Sequence, residues 1–337
     1  MHLSSKLQIT AICLLMFVSC QLRQMQEDVS PLGLIHSVNG EIDQQSLGLT
    51  LSHEHIMSNF GGEANYDPNY DRQKLFNQVI PYLRKIRSLG IVTVFDCTTA
   101  YFGRDVGLLK ELADSTGIQI VTNTGFYGAA KDRYVPALAF EKSIDEIADI
   151  WISEFDKGID KTGIKPGFIK LAFDDGSPSE IDLKLFEAGI VAHIATGLTL
   201  AVHTGDNPIA AQKQMDLLEK YNVALNNWVW VHAHKVPDDK ILMDAAKKGA
   251  WISLDGCKSA NIQDYISRLQ QFKKNNLLGS ILLSHDGNSF PRGKAIRQYH
   301  AIPEELIDKL STQVFTAEEI NLLLVKNPWQ AFAAIDP

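Results

Sequence analysis

Six of the ten histidines in this sequence, His53, His55, His203, His232, His234 and His285, stand at or near the ends of short apolar runs, as do Lys170 and Asp286. Imidazole, amine and carboxylate groups concentrated in this way can hold divalent metals and move protons. His53 and His55 lie two apart in TLSHEHI. On a strand both side chains therefore face the same way and can bind one ion, while Glu54 faces the other. His203 in LAVHTGD and His232 in VWVHAHK close two successive runs and can bind a second ion. Asp286 in LLSHDG can ligate a metal and, as a general base, collect the proton of a bound water. Lys170 sits in GFIKLAF, a segment too apolar for a solvent-facing strand, where an unpaired ammonium is costly. It can be deprotonated, act as a base or Schiff-base amine, form a salt bridge, or take up carbon dioxide as a carbamate that bridges two metals. The residues alone leave these four open.

Positioning these groups requires a scaffold that brings many strand ends together. Eight apolar β-type runs recur, each followed by a polar loop and a segment of helical periodicity: 49–56, 91–97, 118–127, 168–173, 199–204, 228–234, 250–255 and 281–286. Near-continuous apolar strands alternating with helices indicate a parallel sheet covered by helices. Eight such units predict an α/β fold, a (β/α)8 TIM barrel, with its active site at the C-terminal ends of the strands. A short N-terminal strand-turn-strand extension is expected before it, in LIHSVNGEI and then LGLTL. Pro81, inside the first helical segment, predicts a kink or break there.

The remaining bulk properties narrow the function classes. The 337 residues are 45% hydrophobic and 21% charged, enough to bury a large core. A net charge of -8 with acids and bases interspersed offers no basic stripe, so nucleic acid is excluded as a partner. Residues 1–20, MHLSSKLQITAICLLMFVSC, carry Lys6, an apolar run from Ile9 to Val18 and a small-residue end, the pattern of an export signal. The run is too short to span a bilayer as a helix. Its ending FVSC resembles a bacterial lipobox, which implies a lipid anchor at Cys20 and a place in the bacterial cell envelope, periplasm or cell surface. Residues 21–34 are expected to form a tether and 35–337 the barrel. With Cys13 and Cys20 in the leader, Cys97 and Cys257 remain, each expected as a small buried residue outside any disulfide.

Taken together, HEH on the first strand, FIKLA on the fourth, VHTGD on the fifth, VHAH on the sixth and SHDG on the eighth resemble the phosphotriesterase family of the amidohydrolase superfamily. The likeness runs from about Ile35 to the ending LLVKNPWQAFA and includes TGFYG after the third strand. It implies two divalent ions, zinc being the expected metal. His53, His55 and Asp286 would hold the more buried ion and His203 and His232 the more exposed one, with a Lys170 carbamate and a hydroxide bridging them. It further implies that Tyr127 contacts the substrate or the exposed metal's oxygen, and that His234 stands at a rim position suited to relaying a proton. His285 is expected to support the ligands from behind, and His193, on a helix, to be structural. The implied activity is hydrolysis of a small ester-type substrate, a carboxylic ester, lactone or phosphoester, and the family admits a homodimer. Lactone-opening members tend to carry an arginine soon after the seventh strand, where this chain reads ISLDGCKSAN. Aromatic residues of the loops, Tyr66, Tyr70, Phe290 and Tyr299, are candidates for the pocket mouth. Two rivals are a lipid-anchored, non-catalytic binding protein on the same barrel and a Schiff-base enzyme using Lys170.

Overall fold

Residues 33–66, 69–292, 294–312 and 315–334 are described by a computed structural model. The export signal, Cys20 and almost all of the expected tether lie outside the described residues. No helix among the described residues is long and apolar enough to cross a membrane.

The chain enters through a hairpin, β1 (Ile35–Ser37) and β2 (Gly40–Ile42), paired antiparallel. Both strands fall within LIHSVNGEI, and LGLTL instead opens the first barrel strand. The barrel strands follow: β3 (Leu49–Met57), β4 (Ile91–Asp96), β5 (Gln119–Val121) with β6 (Asn123–Thr124), β7 (Phe168–Ala172), β8 (Leu200–His203), β9 (Trp228–Val231), β10 (Trp251–Leu254) and β11 (Ile281–Leu283) with β12 (Asn288–Phe290). All their pairings are parallel, in the orders β12-β3-β4-β5 and β6-β7-β8-β9-β10-β11. The third strand, split at Thr122, and the eighth, split by the loop 284–287, join the two runs. At the closing seam the backbone of Asp286 donates to His53 O at 3.2 Å and that of His55 to Gly287 O at 2.9 Å. The result is the expected (β/α)8 barrel.

The strands are buried on both sides, β7 along its whole length, because helices cover their outer faces. Those helices start where the sequence supplies caps. Ser143 and Glu146 form a capping box on Ile144–Lys157, and Ser179 and Asp182 form one on Glu180–Thr196. The helix Arg72–Ser88 is not broken at Pro81, whose position faces solvent and therefore tolerates the missing N–H.

The last helix, Asn327–Phe332, sets Phe332 against Phe95 of β4 and Phe168 of β7, and Asn327 donates to the carbonyls of Leu278 and Ile281. Phe168 and Ile281 begin their strands, so the chain end seals the face opposite the strand C-termini. Cys97 and Cys257 are buried and free, as expected.

Candidate metal centre

At the C-terminal face, His53, His55, Lys170, His203, His232 and Asp286 all line one cavity of about 150 Å³, with Tyr127, Phe60, Phe102, Lys235 and Arg297 completing its wall. Strand periodicity brings the first pair in. His53 and His55 face inward from β3, their ring centroids 5.6 Å apart. Asp286 Oδ1 lies 3.3 Å from His55 Nε2 and 3.6 Å from His53 Nε2, so these three groups converge on one point. The rings of His203 and His232 stand edge to face at 4.4 Å, and His232 is 4.9 Å from His53.

Hydrogen bonds behind the imidazoles decide which nitrogen faces the cavity. Asp255, a fully buried carboxylate after β10, accepts from His232 Nδ1 at 2.8 Å and from His234 Nδ1 at 3.0 Å. A carboxylate only accepts, so both Nδ1 atoms carry protons and each Nε2 keeps its lone pair. Thr98 Oγ1 donates to Met57 O at 2.9 Å and must therefore accept from His55 Nδ1 at 2.8 Å, which leaves the lone pair of His55 Nε2 free to ligate. His53 Nδ1 is 3.1 Å from Asp255 Oδ2 but out of line for a hydrogen bond.

Burial pushes His53 down to about 3, against the opposing pull of Asp255, and holds His203 well below the usual imidazole range. For Asp255, burial works against the charged form, yet the imidazoles of His232 and His53 outweigh it and keep the carboxyl well below the usual range. Asp286 is likewise held low against burial, by His55 beside it and the nearby rings of His232 and His53. Neutral His53 and His203 and ionised Asp255 and Asp286, the states suited to a metal site, are thus the ones favoured.

Lys170 is 1% exposed and its Nζ has no hydrogen-bond partner; burial, opposed by Cys97, Asp255 and Asp286, lowers its pKa. Its backbone is held tightly. A Cβ at Gly125, whose φ is +118°, would collide with the Lys170 carbonyl, so only glycine lets the third strand pass this close. An orphaned buried amine among imidazoles with free lone pairs and two carboxylates fits a metal centre, because ligation or carbamate formation would satisfy groups the protein leaves unpaired.

Tyr127, 7% exposed, points its hydroxyl at His203 Nδ1, 3.3 Å away. His234 lines an adjoining outer cavity with Lys258, Asp286 and Arg297. His285 Nε2 accepts from the Ile302 N–H, so its Nδ1 donates to Glu54 at 2.7 Å. His193, near the end of its helix, bonds the Leu198 carbonyl just past the helix C-cap. The loop aromatics lie elsewhere than the expected pocket mouth. Tyr299 is fully buried against Ser289, Phe290 is buried, Tyr70 bonds Asp105 and Tyr66 bonds Asp160, and none lines the metal cavity. Phe102, stacked on Tyr127 at 4.9 Å, and Phe60 take that place.

Sixth and eighth strands end earlier than their apolar runs suggest, because His232 (φ 61°) and Asp286 (φ 52°) adopt left-handed backbone that leaves the ladder. Asp255, Glu54, Lys235 and Arg297 had no assigned role from sequence. For Asp255 the signal was available, a lone carboxylate ending the apolar run WISLD.

Residues 33–332 match the family model described as "Phosphotriesterase family". The chain is 26% identical over 215 residues to the aryldialkylphosphatase of Saccharolobus solfataricus, covering 64% of this chain and 68% of that protein. It is 24% identical over 342 residues to the N-acetyltaurine hydrolase of Mus musculus, covering 88% of this chain and 97% of that one. A double mutant of the organophosphorus hydrolase from Deinococcus radiodurans shares the fold with a TM-score of 0.80 at 24% identity, over 90% of this chain and 98% of that chain.

Proposed function

From the premise that this chain belongs to the phosphotriesterase family, whose members are binuclear metal enzymes, we propose that it hydrolyses an ester-type bond, carboxylic ester, lactone or phosphoester, with two divalent ions. The observation that carries this reading is the partnerless buried amine of Lys170 in a wall of imidazoles whose lone pairs are free. His53, His55 and Asp286 would hold one ion and His203 and His232 the other, with Lys170, as a carbamate, between them. Zinc suits a set dominated by imidazole. When bound, the ions supply an acidified water for attack and polarise the substrate's carbonyl or phosphoryl oxygen.

The chain's own groups do the rest. Asp255 holds His232 and His234 in the Nδ1-protonated tautomer. Asp286, kept ionised, takes the proton released as the nucleophile attacks. His234, which lines the outer cavity beside Asp286, carries that proton outward. Tyr127, kept as a neutral phenol by burial, offers its O–H to the substrate. Phe102, buried, keeps water from its part of the aromatic wall.

Metal analysis of reconstituted protein is expected to find two equivalents of divalent ion, and Asp286→Asn should lose ester hydrolysis by about a hundredfold or more. Fewer than one equivalent, or undiminished hydrolysis in that variant, overturns the proposal. A second reading, hydrolysis of an N-acyl bond, is favoured by the likeness to an N-acetyltaurine hydrolase. Matched acetyl esters and acetamides decide between the two. On residues 1–20 alone we also propose export and lipidation at Cys20; Cys20→Ser should abolish the lipidation, read as loss of incorporated lipid label.

A further inference from the structure

The metal cavity and the larger outer cavity, about 510 Å³, share Lys235, Asp286 and Arg297. The wall they share thus carries two cations. A third, Lys258, stands on the outer wall, with His234 and Ile296. These charges are not spent on protein partners. Lys235 and Lys258 are exposed and form no ion pair among the described residues. Arg297, 49% exposed, reaches Asp286 only at 3.4 and 3.5 Å, a long and solvated contact that holds it weakly.

The acids nearby are already committed. Asp255 is engaged by His232, His234 and Ser253 inside the wall, and Asp286 faces His53 and His55. A cluster of unspent cations is unexpected at the mouth of a chain whose net charge is -8. A low-dielectric cleft lined this way concentrates anions. Opposite chemistry lines the inner cavity, where Phe60, Phe102 and Tyr127 form a contiguous aromatic wall.

We propose that the outer cavity receives an anionic substituent of the substrate, held by Lys235, Lys258 and Arg297, while the scissile ester lies in the inner cavity against the aromatic wall. Preferred substrates are therefore anionic esters, with a carboxylate or phosphate on the part that projects outward. This inference rests on the hydrolase reading but can fail separately from it.

The test uses metal-reconstituted enzyme and three acetyl esters: 4-acetoxybenzoate, 4-acetoxyphenyl phosphate and the neutral methyl 4-acetoxybenzoate. At least one anionic ester should exceed the neutral one by about tenfold in kcat/KM, chiefly through KM, and the margin should shrink as salt rises. The double variant Lys235→Gln with Lys258→Gln should lose most of that margin, whereas Lys258→Arg should keep it. Which anion wins identifies the carboxylate or the phosphate. Calorimetry with 4-hydroxybenzoate, independent of turnover, should show binding that the double variant loses. Hydrolysis with no preference for either anion overturns the inference and leaves the hydrolase standing. Binding that the double variant loses, without hydrolysis of any ester, upholds the anion site and overturns the hydrolase. Neither binding nor hydrolysis overturns both.

Discussion

Lys170 shows how a single residue reveals a site. Burying an amine without a partner costs free energy that a purely structural core would avoid, so the group marks chemistry that the protein alone does not complete. Methionine has similar reach and no amine. Lys170→Met is therefore expected to stabilise the metal-free protein by about 1–3 kcal/mol, the penalty of an unsatisfied buried polar group. The same change should remove one of the two metal equivalents. Calorimetry of metal-free protein and metal analysis of reconstituted protein check the two halves, and a lower melting temperature for the metal-free variant would contradict the account of Lys170. At this scale much of the site was legible, because HEH, FIKLA and SHDG place metal-binding types where apolar residues belong. Asp255 was legible only as a carboxylate closing WISLD, and Glu54 not at all, since a carboxylate in a sequence does not announce its partners. Arg297 was hidden for another reason. It sits on a loop past the eighth strand, and loop residues acquire meaning only when the fold brings them to a cavity.

Among the elements, the loop 284–287 does most to set the site, and Glu54 holds it from the back of the first strand. Its carboxylate accepts from Ser284 Oγ at 2.7 Å, His285 N at 3.1 Å, His285 Nδ1 at 2.7 Å and Gly287 N at 2.6 Å. These bonds clamp the residues on either side of Asp286 in its left-handed conformation. Glu54→Gln offers one oxygen and an amide to a cluster of donors, so it is expected to cost about 3 kcal/mol and to weaken metal binding by about tenfold or more. Denaturant midpoints and metal titration would read both, and unchanged metal affinity would free Glu54 of the positioning role.

A second element carries a pH signature. Asp182, in the first turn of Glu180–Thr196, is 1% exposed, and burial raises its carboxyl to about 6 although Ser179 hydrogen-bonds to it. A carboxyl raised on folding binds its proton more tightly in the native state, so stability is lost as pH rises from about 4 through about 6. Asp182→Asn should therefore be the more stable protein at pH 8, by about 1 kcal/mol, and lose that advantage below pH 4. Thermal melts across pH would show no crossing trend if Asp182 were unperturbed. Helix and strand periodicity made these elements legible from sequence, including all eight barrel strands. Their ends were less so, because the backbone turns at His232 and Asp286 serve the site and override the apolar pattern that continues past them.

For the whole molecule, the proposed ligand set draws on β3, β7, β8 and the segments that follow β9 and β11, while the last helix closes the opposite face. Closure of the barrel depends on the eighth strand returning to the first, and His53, His55 and Asp286 meet across that seam. Metal binding should therefore act on global stability and not only on the loops, since ligands from five barrel segments must be in place before the ions are held. Ions that bind only the folded chain add RT ln(1 + [L]/Kd), about 2.7 kcal/mol at a free concentration a hundredfold above Kd. Stripping the ions with a chelator is expected to lower the melting temperature in one cooperative step, with the loss restored by adding zinc. Hydrogen exchange should locate the effect. If the ions stabilise the barrel as a unit, protection falls in β3, β7 and β8 together when they are removed. Loss confined to 284–297, with the strands unchanged, would instead make the centre a local clamp on the last loop, and the barrel a scaffold stable without it.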